Sequence, residues 1–411
     1  MFVVSLLSTL VPGDGMAPRT GSVSRTCDAY TQPGLVQHNP YPVWKPYDPL
    51  CEAPALLPNL LATLPSAATG SGARLRKTLV TAAERTELSR TLQNRTVLLV
   101  GDAVDRTLLM QLCQLFGREV TGVDQAHPWG ESLRRVPASH MPSGSAHTNP
   151  SDVLLADYCY EPVYDTLFTS FYHYGADTDD RWQRQASYFP PGRFEHRMSD
   201  LLRPYLDALV SGARPAGVNL PPPRARKPDL AVFSSSFWDL ALWAQEDAKS
   251  SVSIETDLSS ERVAWWRSRM VDMIDALREQ LGVGSRIAWR SAHVPAESSP
   301  GSVEAFIQTM HRQSPQPVPA NKGNPIFSVR RVSQLNAARR SMVPLTGHDS
   351  VRGLLSRDMW SSGKQPALAD VPFGEVTLGQ SMRQMDPLNP GVDPSAYLFW
   401  SMVLARLREL A

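Results

Sequence analysis

Short apolar runs alternate along this chain with stretches in which apolar residues return every three or four positions. Thr96 to Val100 is a short run of β-branched and apolar residues that ends at Gly101, the pattern of a strand covered on both faces. Helical spacing begins at once, with Leu108, Leu109, Leu112, Cys113, Leu115 and Phe116 on one side and Gly117 placed as a C-cap. Glu119 to Val123 resembles a second strand. Asp229 to Ser234 repeats the strand signal after three consecutive prolines, and Arg286 to Trp289 repeats it again. Between them Glu261 to Leu281 predicts a long amphipathic helix with Val263, Trp266, Met270, Ile274, Leu277 and Leu281 on one face. Asp393-Pro394 reads as a cap followed by proline at the first helical position, and Tyr397 to Leu410 is apolar almost all round, so that last helix is expected to be buried. Strands alternating with helices predict an α/β fold, an open, mostly parallel sheet flanked by helices in three flavodoxin-like layers.

Composition adjusts this picture at the margins. The 411 residues hold 35 prolines against 25 glycines, which implies long irregular connections and argues against a helical bundle. Residues 12–75 are rich in Pro, Gly and Ser with Tyr41, Trp44 and Tyr47 among them, so residues 1–75 are expected to form an arm laid over an α/β domain of residues 76–411. Met1 to Val11 is apolar but has no basic leader and falls short of the ~20 residues of a membrane span. A signal-peptide core, the remnant of an anchor and an apolar tail all remain open, and membrane contact is expected only with an anchor. Lys and Arg total 41 against 40 Asp and Glu, so nucleic acid is not an expected partner. Cys27, Cys51, Cys113 and Cys159 show no CxxC spacing, and no metal site is expected. Cys27 and Cys51 are the pair placed to close a loop by a disulfide, with the free thiols the open alternative. The sequon Asn94-Arg95-Thr96 has meaning only on entry into the secretory pathway.

In open α/β sheets the crevice lies at the carboxyl ends of the strands. Three segments there draw attention: Val100 to Arg106, whose turn would aim N–H groups at an anion; Phe233 to Asp239; and Asp386 to Pro390, before the last helix. In that order they resemble the GDSL/SGNH hydrolase superfamily, more closely its fungal and plant-type branch of membrane-anchored carbohydrate acyl esterases and acyltransferases. The resemblance spans roughly residues 95–410 and extends to Phe171 to Asp180, Pro191 to Glu195, Trp289 to His293 and Gln334-Leu335-Asn336. It implies an SGNH-like fold, a carbohydrate or acylated glycan as ligand, no cofactor, and a secretory or membrane-associated location, with a cytoplasmic one as the alternative.

Two positions depart from that family's pattern. Where the nucleophilic serine stands in the family, this chain has Ala103; where the histidine base stands, it has Asn389. Alanine has no oxygen to attack a carbonyl, and an amide takes no proton near neutral pH. Asp386 remains as the acid, with no imidazole to orient. The expectation is a protein without conventional esterase activity that keeps a place for a ligand, lined by Gly101, Asp102, Arg106, Ser235, Asp239 and Arg290. His293 is the surviving histidine that follows a strand, a candidate for the site or a structural histidine beside it. Asp102 and Arg106 read first as a local ion pair, and Ser234 to Ser236 as a turn that satisfies its own backbone. His173 lines the site or sits in a loop. Two other readings compete: a nucleotide-dependent enzyme of methyltransferase type, with Asp124 ending the second strand as the ribose-binding acid, and a non-catalytic scaffold.

Overall fold

A computed structural model describes residues 27–38, 41–65, 80–134, 154–179, 181–182, 189–211, 220–225, 227–282, 285–295, 326–343, 368–378, 380 and 389–411. Asp386, the apolar residues 1–11 and part of the Pro-rich stretch lie outside these.

The chain opens with an antiparallel hairpin, β1 (Gly34–His38) and β2 (Pro42–Pro46), followed by helices α1 (Leu56–Thr63) and α2 (Ala82–Leu92). A seven-stranded sheet then forms from β3 (Thr96–Gly101), β4 (Thr121–Val123), β5 (Ala156–Glu161), β6 (Thr166–Tyr172), β7 (Leu230–Phe233), β8 (Arg286–Arg290) and β9 (Ala369–Val371). Its order is β4-β5-β6-β3-β7-β8-β9. Pairing is parallel from β6 through β9, while β5 runs against both of its neighbours. The sheet is therefore mostly parallel, with helices on both faces.

Burial explains the central strand. Val97 to Val100 are fully buried, as expected where a strand is covered on both sides and no polar face is needed. On one face lies α3 (Ala103–Phe116), closed by Gly117 at φ 64°, together with the helix Tyr397–Arg408. On the other lie α5 (Phe194–Arg197), which continues through a wider turn into α6 (Arg203–Ser211), and α8 (Ser260–Leu281). Phe168 points to the first layer, against Phe116 and Trp400; Thr169 points to the second, bonding Tyr205 at 2.7 Å. The remaining helices are α4 (Glu131–Arg134), α7 (Phe237–Lys249), α9 (Val329–Arg340), α10 (Phe373–Thr377) and α11 (Tyr397–Arg408).

The last helix is buried along nearly its whole length, and Trp400 Nε1 donates to the Leu108 carbonyl of α3 at 2.8 Å. Its start keeps the expected extended residue before Pro394 but does not run straight into regular α-helix. Asp393 is extended (φ −110°, ψ 121°), and a wide turn over Val392–Ala396 precedes regular α-helix at Tyr397. The hairpin and α1 pack against this same helix: Tyr41 stacks on Tyr397, and Arg406 pairs with Asp28. Cys27 and Cys51 form a disulfide there. Among the described residues no helix is long and apolar enough to cross a membrane.

Candidate functional site

At the carboxyl end of β3 the chain turns directly into α3, and the turn is closed by its own side chains. Asp102 is the N-cap: its carboxylate accepts from the N–H of Val104 at 2.8 Å and from that of Asp105, while Asp105 Oδ2 accepts from the Asp102 N–H at 3.2 Å. This reciprocal box takes up most of the donors that the sequence suggested would face an anion, leaving at most the N–H of Ala103. Gly101 is required by the same arrangement, since a Cβ there would lie 1.8 Å from Asp105 Oδ2.

Asp105 reaches across the strand ends. Its two oxygens accept from Nε and Nη2 of Arg290, at the end of β8, both at 2.9 Å, and both side chains are completely buried. The sequence pointed to Arg106 as the partner of Asp102. Arg106 instead binds Asp157 of β5 at 2.7 Å. The Asp102 carboxylate is already taken up by backbone N–H groups of its own cap, and Arg106 reaches the neighbouring strand instead.

Beyond β7, in the first turn of α7, Asp239 accepts from the Ala176 N–H at 2.7 Å, Ser235 Oγ at 3.0 Å and Trp266 Nε1 at 3.2 Å. Gly175, at φ 81°, leaves room for it, because a Cβ there would lie 2.7 Å from Asp239 Oδ1. Ser236 Oγ donates to the Ser235 carbonyl, so the serine turn serves its own backbone and Asp239.

Three buried carboxyls thus lie close together: Asp105 pairs with Arg290, and Asp102 feels the charges of Asp105, Arg290 and Asp239. Burial first, and then the charge of Asp105, push Asp102 up to about 7 against the pull of Arg290. Burial pushes Asp239 up to about 6 despite its three donors, and Asp177 adds to the rise. Carboxyls displaced this far are a recognised mark of functional sites.

His173 follows β6. Nε2 lies 2.8 Å from the Ser234 carbonyl, to which only an N–H can bond, and Nδ1 accepts from the Gly175 N–H at 3.0 Å. Both ring nitrogens are occupied, and burial lowers its pKa to about 4. It is a neutral structural histidine holding the ends of β6 and β7 together.

His293 is buried, with its ring against Phe237 at 5.3 Å and Phe373 at 5.9 Å. The backbone beside it is gripped from two sides. Asn336 of α9 accepts from the Ala292 N–H at 2.9 Å and donates to its carbonyl at 2.7 Å, as a neighbouring strand would. Gly374 donates to Ser291 Oγ at 2.7 Å, and a Cβ on it would meet the Ala292 oxygen at 1.8 Å.

Asn389 is buried, and Gln111 of α3 donates to the carbonyl of the adjacent Pro390 at 2.7 Å. The segment before α11 therefore rests on α3, the helix that Ala103 opens, but Gln111 lies eight residues from Ala103, about 12 Å of helix rise. Asp386 is outside the described residues. The strand ends bring together Gly101, Asp102, Ser235, Asp239 and Arg290; Arg106 points away to β5.

Topology and geometry bear on the nucleotide-binding reading. The nucleotide-binding reading needs the second strand beside the first, yet β4 lies at the sheet edge with β5 and β6 between it and β3. Asp124 caps its own turn, accepting from the N–H groups of Ala126 and His127 at 2.8 and 2.9 Å. Among the described residues, no group of three or more His, Cys, Asp or Glu is arranged to hold a metal ion. Asp105 escaped the sequence reading because its partner is 185 residues away. The signal that was present is an acid three residues after an acidic cap.

No protein-family model matches the chain, and no curated protein matches it. A solved structure that it resembles is a putative arylesterase from Agrobacterium tumefaciens str. C58, at 13% identity and a TM-score of 0.31, covering 77% of this chain and 100% of that one. What stands from the structure itself is an α/β three-layer fold with a mostly parallel sheet.

Proposed function

We propose that this chain is a degenerate carbohydrate O-acyl esterase or acyltransferase of the SGNH type, without Ser–His catalysis, whose strand-end site survives as a binding or purely structural centre. The observation that carries this reading is Ala103 on the first turn of α3, at the end of the central strand, beside buried carboxyls pushed far from their ordinary range. A serine at that point would have its hydroxyl at a helix N-terminus; an alanine offers a methyl group. Loss of a nucleophile removes on the order of 10⁶ in rate from a serine hydrolase.

The ligand, on this reading, is an acylated sugar. One further observation favours a scaffold as the second reading: Asp102 and Arg290 are bonded to Asp105, and Ser235 to Asp239, within the protein itself. Hydrolysis of p-nitrophenyl acetate tests the first reading. The parent is expected to stay at buffer background, and Ala103→Ser combined with Asn389→His to rise above it. A folded double variant that remains at background withdraws the assignment of those two positions. Titration of the parent with acetylated xylo- or chito-oligosaccharides separates the readings, saturable heat supporting the retained site and none supporting the scaffold.

A further inference from the structure

We propose that Asn94 is an attachment site for an N-linked oligosaccharide. It is the asparagine of the sequon Asn94-Arg95-Thr96 and lies in the turn that feeds β3, at φ 55°. The left-handed conformation suits an asparagine, and the residue is exposed. Its two amide atoms are treated differently. Oδ1 accepts from Arg224 Nη2 at 3.0 Å, whereas Nδ2 has no hydrogen-bond partner among the described residues. Nδ2 is the atom that glycosylation uses, so a glycan there leaves the Arg224 contact in place.

A second, independent observation is the Cys27–Cys51 disulfide. Disulfides of this structural kind persist in oxidising compartments, where the glycosylating enzymes also act. Position supports the same reading. Asn94 precedes the amino end of β3, while the candidate site lies at its carboxyl end, about 20 Å of strand away, so a bulky sugar at Asn94 does not crowd it.

The chemistry balances without an oxidant. Nδ2 attacks the anomeric carbon of a lipid-pyrophosphate-linked oligosaccharide, an N–C bond forms, the C–O bond to pyrophosphate breaks, and the amide proton passes to a base of the host's transferase. Thr96, which that transferase must reach, is 2% exposed in the folded chain. Transfer therefore precedes folding, which then hides the threonine and leaves Asn94 at the surface.

The test expresses the full chain behind a cleavable secretion signal in a eukaryotic host, so that entry into the pathway is not the variable. Peptide mapping after peptide-N-glycosidase digestion in ¹⁸O-water is expected to show ¹⁸O-labelled aspartate at position 94. Undigested protein should migrate as a larger species that collapses on digestion. Thr96→Ser should keep the glycan; Thr96→Val and Asn94→Gln should lose it. A secreted, folded parent chain with wholly unmodified Asn94 overturns the proposal, and mapping of the parent decides the matter even where a variant fails to fold.

Discussion

The two ends of β3 carry buried charge, and they are built on different principles. At the amino end, Asp229 bonds Arg95 at 2.7 Å and the Thr96 N–H at 2.8 Å, while Arg224 bonds the Asp165 carboxylate and carbonyl, both at 2.8 Å. Two acids meet two arginines, and the backbone uses what remains. At the carboxyl end, Asp105 pairs with Arg290, Asp102 feels both of them and Asp239, and Asp102 and Asp239 have strongly raised pKa values. The first end is a staple whose charges balance. The second holds two carboxyls whose ionisation costs stability, which is what makes it the candidate site.

The largest effect is expected from removing the cation that pairs with Asp105 at the carboxyl end. Arg290→Met leaves Asp105 buried without its partner and should lower unfolding free energy by about 3–5 kcal/mol, read from urea denaturation at pH 7. A loss under 1 kcal/mol would mean that Asp105 is not the dry, paired acid described.

Asp102→Asn should act in the opposite direction. The folded pKa of Asp102 is raised to about 7, so between about pH 4 and 7 the folded chain holds a proton that the unfolded chain has released. Parent stability must then fall as pH rises through that window. The neutral amide removes this loss and should make the variant more stable by about 2–4 kcal/mol at pH 8, with near parity at pH 4. Equal effects at the two pH values would show that Asp102 is not perturbed.

The same chemical change at the other end should have the other sign. Asp229→Asn deprives Arg95 of its counter-charge, and either Arg95 or the Thr96 N–H of an acceptor. It is expected to destabilise by about 1–3 kcal/mol at pH 8. Stabilisation by this variant would erase the distinction between the two ends.

Much of the frame was legible because it is local. The run ending at Gly101, the periodic Leu108 to Phe116 and the all-round apolar Tyr397 to Leu410 carry their own geometry, and β3, α3 and α11 stand where those patterns put them. Strands β5 and β6 were harder to read. Thr169 interrupts their apolar pattern, and its burial makes sense only because its hydroxyl donates to the Asp157 carbonyl on β5 and accepts from Tyr205 of the helical layer. The candidate site divides along the same line. Asp102 and Ser235 follow strands and could be found by position, but the pairing of Asp105 with Arg290, and the diversion of Arg106 to Asp157, depend on contacts between distant segments. Spacing of four within one helix suggested a neighbour that the cap had already made unnecessary.

An alkyl fluorophosphonate, which attaches covalently to activated serine hydroxyls, tests the central claim most directly. The account predicts no label on the parent chain and label at position 103 alone once Ala103→Ser and Asn389→His are introduced together. Label on Ser234, Ser235 or Ser236 of the parent would contradict it, because the nucleophile would then have survived elsewhere.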